Sequence, residues 1–430
     1  MALRILITGT TGDSMPPPYA GVQNVSLLYA RTFKKMGHSV GVSFVYKPEN
    51  ADDLGANADY FFEYASKPNK FKKIIFLIKY FLANPVLYIK LFRSYFNFYP
   101  KFAIETFLYS SYGVFMDGVI EKFRPDIIAC QAALIKTFMV AELAKIKNIP
   151  VVFEPYAEIH DQKMGVNKHL NKEEQKKYWS YFLSLSSLVI GMDNCSVGAQ
   201  MYLPEDRVKV FYDTCDFQSY QIVIRETKEE LREYFKLPEK MFLLSMMGAF
   251  HYRKGHDQLI KAISVLNKKG YKDIGAVIVG GNVGIEKWQD LAKAEDVSEN
   301  IFLFQNFGED RKIKLYKTVD GYCNFSNSTR SCGLDLALLE AMACSLPIIV
   351  YDNGALPGSV PNGENGFVVS TGDVNAVADA ILSLYNKSKE ERAGMAQKSK
   401  ELASKTDVNL TAKIKENWFM ETIESFKKNK

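Results

Sequence analysis

Cys332-Gly-Leu-Asp-Leu-Ala-Leu-Leu-Glu340-Ala-Met-Ala-Cys344, followed by Leu346-Pro347-Ile348-Ile349-Val350 and Asp352-Asn353-Gly354, decides the fold. Leu336 to Ala343 are helix formers throughout, and Gly333 stands where a loop could enter them. Asp335 is expected in the first helical turn, where a negative charge suits the helix dipole. One carboxylate, Glu340, interrupts an otherwise apolar helix. Burying a lone carboxylate costs several kcal/mol, so Glu340 implies a partner or a ligand. The β-branched run after Pro347 reads as a buried parallel strand. Loop, helix, strand and loop in that order make half of a doubly wound unit, whose loops and helix N-termini receive anionic ligands.

The wider stretch LALLEAMACSLPIIVYDNGALPGSVPNGENGFVV, residues 336–369, resembles the nucleotide-sugar half of the retaining GT-B glycosyltransferases, specifically glycosyltransferase family 4 (group 1). The helix, the strand, the Asp352-Asn353-Gly354 loop and the closing Asn362 to Phe367 segment stand in family order. The resemblance implies that Glu340 is the second glutamate of an E-x7-E motif and holds the donor ribose. Eight helical residues rise about 12 Å, roughly the span from ribose across a diphosphate to the sugar. The first glutamate position holds Cys332, a thiol that cannot accept hydrogen bonds from sugar hydroxyls as a carboxylate does. That departure bears on the choice of donor sugar and on activity.

Length, charge and cysteines are consistent with this reading. The 430 residues suggest two or three domains, and 47% hydrophobic against 24% charged residues describe a globular chain. Six scattered cysteines with no C-x-x-C pair read as free buried thiols, and the five histidines lack metal-ligand spacing. No metal and no cofactor are expected beyond a nucleotide-diphosphate sugar of UDP or GDP type as co-substrate. The opening Met1-Ala-Leu-Arg-Ile-Leu-Ile-Thr8 reads as a first strand rather than a signal peptide, and no uncharged apolar run has membrane-spanning length.

A first Rossmann-like unit is expected from Arg4–Thr8 as strand, a helix ending near Lys35, and a strand from Ser39 to Val45. In the loop between, the family's Gly-Gly stands here as Ala20-Gly21, so the resemblance assigns Gly21 to donor binding. Strands are predicted over 125–130, 149–153 and 184–192, with a helix over 132–147. The loop after the 149–153 strand offers Glu154, Tyr156, Glu158 and His160 as acceptor-side candidates; an ordinary solvated loop is the other reading. Asp216 matches the end of the family's linker sequence. A second unit follows, with strands at 242–248, 276–281 and 301–304 and helices at 255–268 and 312–318. The resulting division is 1–212 for the acceptor side, 213–405 for the nucleotide sugar, and 406–430 as a C-terminal helix crossing back to the N-terminal domain. The architecture is α/β GT-B, two Rossmann-like domains facing a cleft.

Gly248-Ala-Phe-His-Tyr-Arg253-Lys254-Gly255 resembles the family's G-R-x-x-x-x-K-G segment, whose two cations neutralise the departing diphosphate. Lys254 matches the lysine and Ala249 replaces the arginine; Arg253 offers a second charge if it turns inward. Cleaving a sugar–phosphate bond builds charge on the diphosphate, which cations and amides must meet in the absence of a metal. Lys254 and Glu340 are therefore the catalytic candidates. Ser326, Arg330, Cys332, and the amides of Gly333 and Leu334 complete the donor side, with Asn306 and Phe307 in the base-contacting loop. Arg330 could bind an acidic sugar or diphosphate oxygens, or be a surface arginine.

Residues 64–104 contain eight Lys or Arg and no Asp or Glu, leaving the rest of the chain mildly acidic despite a net charge of +5. Aromatic residues interleave with these cations, and Pro85 separates two helical pieces. Cationic amphipathic helices suit anionic membrane surfaces. Membrane-associated relatives use such surfaces to reach lipid-linked acceptors, which implies membrane contact through residues 67–101. Packed helices with a basic outer face, and base stacking on RNA, are the alternatives; no nucleic-acid motif is present.

The reading is thus a metal-independent retaining hexosyltransferase, cytoplasmic and peripheral at the inner face of the membrane, serving polysaccharide or lipid-linked glycan assembly. A catalytically silent GT-B partner or sugar-binding subunit is the alternative, favoured by Ala249, Tyr156 and Cys332. An NAD-dependent reductase is excluded because Met15 stands where a third glycine would follow Gly9 and Gly12.

Overall fold

Phe242-Leu-Leu-Ser-Met-Met247 sends alternate side chains to opposite sides: Leu243 and Met247 join one core, Phe242, Leu244 and Met246 another. A strand covered on both faces must be apolar at nearly every position, the signature of a parallel sheet between helical layers. The computed structural model describes residues 2–9, 21–45, 54–64, 70–98, 103–131, 135–156, 159, 167, 169–191, 198–211, 214–281, 284–305, 308–327 and 335–428. The chain forms two units, Met1–Tyr212 with Val408–Lys430, and Asp213–Asp407.

In the first unit the strands are β1 (Arg4–Thr8), β2 (Ser39–Phe44), β3 (Tyr60–Glu63), β4 (Ile127–Gln131), β5 (Val151–Glu154), β6 (Leu188–Gly191) and β7 (Val208–Val210). Among the described residues they make one parallel sheet in the order β3-β2-β1-β4-β5-β6-β7. The order reverses between β1 and β4, the switch point at which doubly wound sheets receive ligands. Gly9, just past β1, has φ +77°, and a Cβ there would lie 2.4 Å from Thr137 Cγ2 and 2.7 Å from the Gln131 carbonyl. Only glycine fits this position.

Two elements differ from the sequence reading. Ser184 ends a helix, Lys172–Ser184, instead of opening a strand; Asn171 and Glu174 form a reciprocal capping box that fixes its start. Glu154 closes β5 rather than lying in the following loop, and it is buried.

The basic segment forms helices Lys70–Ala83 and Pro85–Phe98, divided before Pro85 because proline suits a first helical turn and breaks an interior one. Leu87, Tyr88, Leu91 and Tyr95 line the buried stripe of the second helix, and Tyr95 meets Phe138 edge-on at 4.8 Å. These tyrosines serve the core. The outward apolar residues are mostly aliphatic, Ile75, Ile78, Leu82, Val86 and Ile89 together with Phe96, and Lys79, Lys90 and Arg93 are also exposed. The last helix, Val408–Lys428, packs on helix Gly21–Lys35, with Phe419 against Phe33 at 5.7 Å. Among the described residues no helix is long and apolar enough to cross a membrane.

The second unit contains β8 (Phe242–Met247), β9 (Ile274–Gly280), β10 (Ile301–Gln305), β11 (Gly321–Asn324), β12 (Ile348–Tyr351) and β13 (Gly366–Val369). Its parallel sheet runs β10-β9-β8-β11-β12-β13. Here the order reverses between β8 and β11. The loops leaving those two strands carry Lys254 and the approach to Glu340.

Candidate nucleotide site in the second unit

Beyond β8 the chain passes Gly248 to Lys254 and enters helix His256–Lys268. Gly255 permits the turn: its φ is +78°, and a Cβ would sit 2.2 Å from the Phe325 carbonyl oxygen. Tyr252–Lys254 form a single 3-10 turn, started by His251, whose Nδ1 accepts from the Arg253 amide at 3.2 Å. The Arg253 carbonyl accepts from the Asn327 amide at 3.0 Å and so ties this loop to the exit of β11. The Arg253 guanidinium lies 5.7 Å from the Tyr252 ring.

Behind the loop stands His256, wholly shielded from water against Trp288 at 5.4 Å and Phe250 at 5.6 Å. Its Nε2 is 3.1 Å from the Ala249 carbonyl, which requires a proton on Nε2. Burial, and then the Lys254 charge, push its pKa down to about 4. A neutral imidazole therefore holds the carbonyl of Ala249.

Lys254 reaches across the switch point. Its Nζ is 2.5 Å from Asp335 Oδ2. Asp335 has φ −69° and ψ 128°, so it is the N-cap of helix Leu336–Ala343 and not part of its first turn. Its other oxygen accepts from the Ala337 amide at 3.4 Å. One carboxylate thus joins the lysine to the positive end of the Glu340 helix.

Glu340 sits five residues beyond Asp335, about 7.5 Å along the helix axis. Lys312 Nζ, from helix Glu309–Thr318, lies 2.9 Å from both of its carboxylate oxygens. Tyr316, one turn after Lys312, shares its hydroxyl between the Ala337 carbonyl and Glu340 Oε2, each at 3.2 Å. Burial, reinforced by the Glu340 charge, pushes this phenol well above its usual pKa. Lys312 is a partner of the kind that this partly buried carboxylate demands. Neither Lys312 nor Tyr316 was singled out by the sequence. Their i, i+4 spacing marks one helix face, but nothing local says that Glu340 lies opposite.

Ser326 follows β11: its amide donates to Asn324 Oδ1 at 3.1 Å and its carbonyl accepts from Asn353 Nδ2 at 2.9 Å. Asn306, Phe307, Arg330, Cys332, Gly333 and Leu334 lie outside the described residues, as do Glu158 and His160. On the first unit, Gly21 opens helix Gly21–Lys35. Tyr156 donates to Glu154 Oε2 at 3.3 Å, and Glu154 is held by Lys415. Cys130, Cys215, Cys323 and Cys344 are free and buried.

Residues 227–402 match the family model described as "Glycosyl transferases group 1". A GDP-mannose-dependent alpha-(1-6)-phosphatidylinositol monomannoside mannosyltransferase of Mycolicibacterium smegmatis is 27% identical over 164 residues, 37% of this chain and 42% of the relative. The capsular polysaccharide biosynthesis glycosyltransferase CapM of Staphylococcus aureus is 27% identical over 177 residues, 40% of this chain and 43% of the relative. The chain therefore spans less than half the length of these curated relatives. Anabaena HepE, solved in complex with UDP and glucose, superposes with a TM-score of 0.70 at 16% identity, covering 98% of this chain and all of its own, a likeness of fold. Residues 227–402 are thus similar to the glycosyl transferases group 1 family, and the chain shares the α/β fold of GT-B proteins.

Proposed function

We propose that the chain transfers a hexose, with retention at the anomeric carbon and without a metal, from a nucleotide diphosphate to a glycan or lipid-linked hydroxyl. The observation that carries this reading is the pairing of Lys254 with the capped N-terminus of the Glu340 helix at the sheet's switch point. As the sugar–oxygen bond to the diphosphate breaks, negative charge grows on the leaving phosphate. Lys254 and the amides of the helix N-terminus meet that charge, while Asp335 holds the lysine in place until a phosphate arrives. Glu340 receives the ribose hydroxyls. Asn306 and Phe307 contact the base, and Ser326, Arg330, Cys332, Gly333 and Leu334 flank the diphosphate and sugar. Arg253 supplies a further cation at the rim, and Gly21 takes part in donor binding. Glu154, Tyr156, Glu158 and His160 are the acceptor-side candidates, and Tyr156 donates to Glu154.

Membrane contact belongs to the same proposal. Helices Lys70–Ala83 and Pro85–Phe98 expose aliphatic residues beside Lys79, Lys90 and Arg93, a combination suited to the cytoplasmic face of an anionic membrane. The curated relatives named for phosphatidylinositol mannoside and capsular polysaccharide support a lipid-linked or polysaccharide acceptor.

The test is a panel of UDP- and GDP-sugars incubated with the protein and membrane extract, with and without EDTA. Release of nucleotide and labelling of the extract, unchanged by the chelator, are expected. Ala249 and Cys332, at two positions where the family carries charge, favour a second reading, a silent sugar-binding partner. Nucleotide binding without release or transfer of any sugar establishes that second reading and removes the first.

A further inference from the structure

We infer that a cavity of about 550 Å³, formed wholly by residues of the first unit, is a separate carbohydrate site that takes a short neutral saccharide. It lies where β5, β6 and β7 begin, between Ile149, Ser186 and Arg207, and one wall is the last helix. Its volume is within the range of about 300–1,000 Å³ usual for small-molecule sites. From Ile149 to Glu154 the chain covers roughly 16 Å at the rise of a parallel strand. The cavity is thus at the other end of β5 from the acceptor-side candidates, and away from the edge at which doubly wound sheets receive ligands.

Trp418, Glu421, Thr422 and Ser425 stand at i, i+3, i+4 and i+7 of the last helix and share one face. The helix already has an apolar stripe for the core in Ala412, Phe419 and Ile423. The Trp418 face is of another kind, an aromatic ring followed by a carboxylate and hydroxyls. Trp418 is only partly covered, with its ring nearly perpendicular to that of Phe211 at 5.7 Å. A pyranose presents C–H groups on one face and hydroxyls around its rim. The first suit an indole, and the second need donors and acceptors side by side. Here Asp206 and Glu421 accept, Lys145 and Lys209 donate, and the Asn148 amide does both.

Among the described residues the side chains of Asn148, Lys209, Glu421 and Ser425 hold no hydrogen bond or ion pair, so they are open to a ligand. The backbone behind them is fixed. Arg207 donates to the Ser186 carbonyl and, at 3.4 Å, to that of Ser187, whose hydroxyl accepts from the Val151 amide at 3.3 Å. Ser186 keeps a buried hydroxyl without a partner among the described residues, the kind of group that marks a place for a ligand or water. With Arg207 bonded to two carbonyls and two carboxylates in the wall, a phosphorylated ligand would meet repulsion as well as attraction. A neutral saccharide avoids that conflict.

Indole NMR of the full chain, isotopically labelled at tryptophan, reads the site directly. The chain has three tryptophans, and Trp179 and Trp288 are buried in the cores of the first and second units. The ligands tested are the neutral trisaccharides of glucose, mannose, galactose and N-acetylglucosamine, with inorganic phosphate and UDP for comparison. At least one trisaccharide should shift the Trp418 signal saturably and leave the other two in place, and excess UDP should not displace it. Glu421→Ala and Lys209→Met should each weaken that binding about tenfold, the size of one hydrogen bond to a charged group. Glu424→Ala is the control, exposed on the same helix and outside the cavity, and should change nothing. No shift of Trp418 with any of the trisaccharides overturns the proposal. So does a shift that Glu421→Ala and Lys209→Met leave at full affinity, since the sugar then acts on Trp418 from elsewhere. A response to phosphate alone overturns it too, and makes the cavity an anion site. Failure to bind UDP would count against the nucleotide site and not against this one.

Discussion

Lys415 places its ammonium 2.7 Å from Glu154 Oε2 at the end of β5, and the two side chains are only 3% and 6% exposed. The same ammonium lies 3.7 Å from the Tyr29 ring centre and 5.2 Å from that of Phe211. One residue along, Glu416 meets His38 Nε2 at 2.9 Å. The last helix is therefore held to the first unit by charge as well as by Phe419. Such a pair is costly to desolvate, and it fixes the register of that helix because any slip would strand both charges.

Removing one partner of this pair should be far worse than removing both. Glu154→Ala or Lys415→Ala should lower the stability of the first unit by about 3–5 kcal/mol, since each leaves a buried charge unpaired. The double variant Glu154→Leu with Lys415→Met should recover most of that loss. Urea denaturation of the three proteins checks the ordering.

Glu340→Gln should weaken nucleotide binding by about 1–3 kcal/mol, the range for a lost hydrogen bond to a charged group. The variant also leaves Lys312 without its carboxylate. Titration calorimetry with UDP and GDP measures it; unchanged affinity in a folded variant would assign Glu340 to structure alone.

Lys254→Ala should act on the chemical step. A lost stabiliser of leaving-group charge typically slows turnover about 10²–10³-fold. Folding should be preserved, because the lysine is partly exposed and Asp335 keeps its cap bond to the Ala337 amide. Nucleotide release under single-turnover conditions is the measurement, and a rate within threefold of the parent (about 0.6 kcal/mol) would contradict the assignment.

His256 gives a pH dependence of stability with a definite sign. Its folded pKa, about 4, is below the ordinary value of 6.5. Between those values the unfolded chain binds a proton that the folded chain does not, so stability rises with pH across the window and falls as pH drops toward 4. The slope approaches about 1.4 kcal/mol per pH unit for one proton. His256→Asn should remove this contribution, and urea midpoints measured from pH 4 to 7 compare the two slopes.

The exposed ridge of Ile75, Ile78, Leu82, Val86 and Ile89 should carry the chain to anionic vesicles in a salt-sensitive manner. Each cation beside such a surface contributes about 1 kcal/mol, so reversing Lys79, Lys90 and Arg93 to Glu should lower partitioning at least a hundredfold. Leu82→Asp with Val86→Asp tests the apolar share separately. Equal sedimentation of parent and variants with phosphatidylserine vesicles would leave this surface merely solvated.

Local chemistry alone determined much of this protein. Arg4–Thr8 and Leu336–Ala343 form the strand and helix that their periodicity and composition predict, and Pro85 divides the basic segment where a proline must. Each is settled within a few residues, by apolar runs that need covering and by backbones that accept or refuse a helix. The switch point also follows from the β-α-β alternation, because right-handed crossovers leave few topologies. What only the tertiary structure decided is who meets whom. Glu154 and Lys415 are 261 positions apart, Lys254 and Asp335 are 81, and Lys312 and Glu340 are 28. A carboxylate in an apolar helix announces that a partner exists, since the desolvation cost demands one. Which cation answers depends on how two helices pack across a sheet, and no spacing along the chain encodes that.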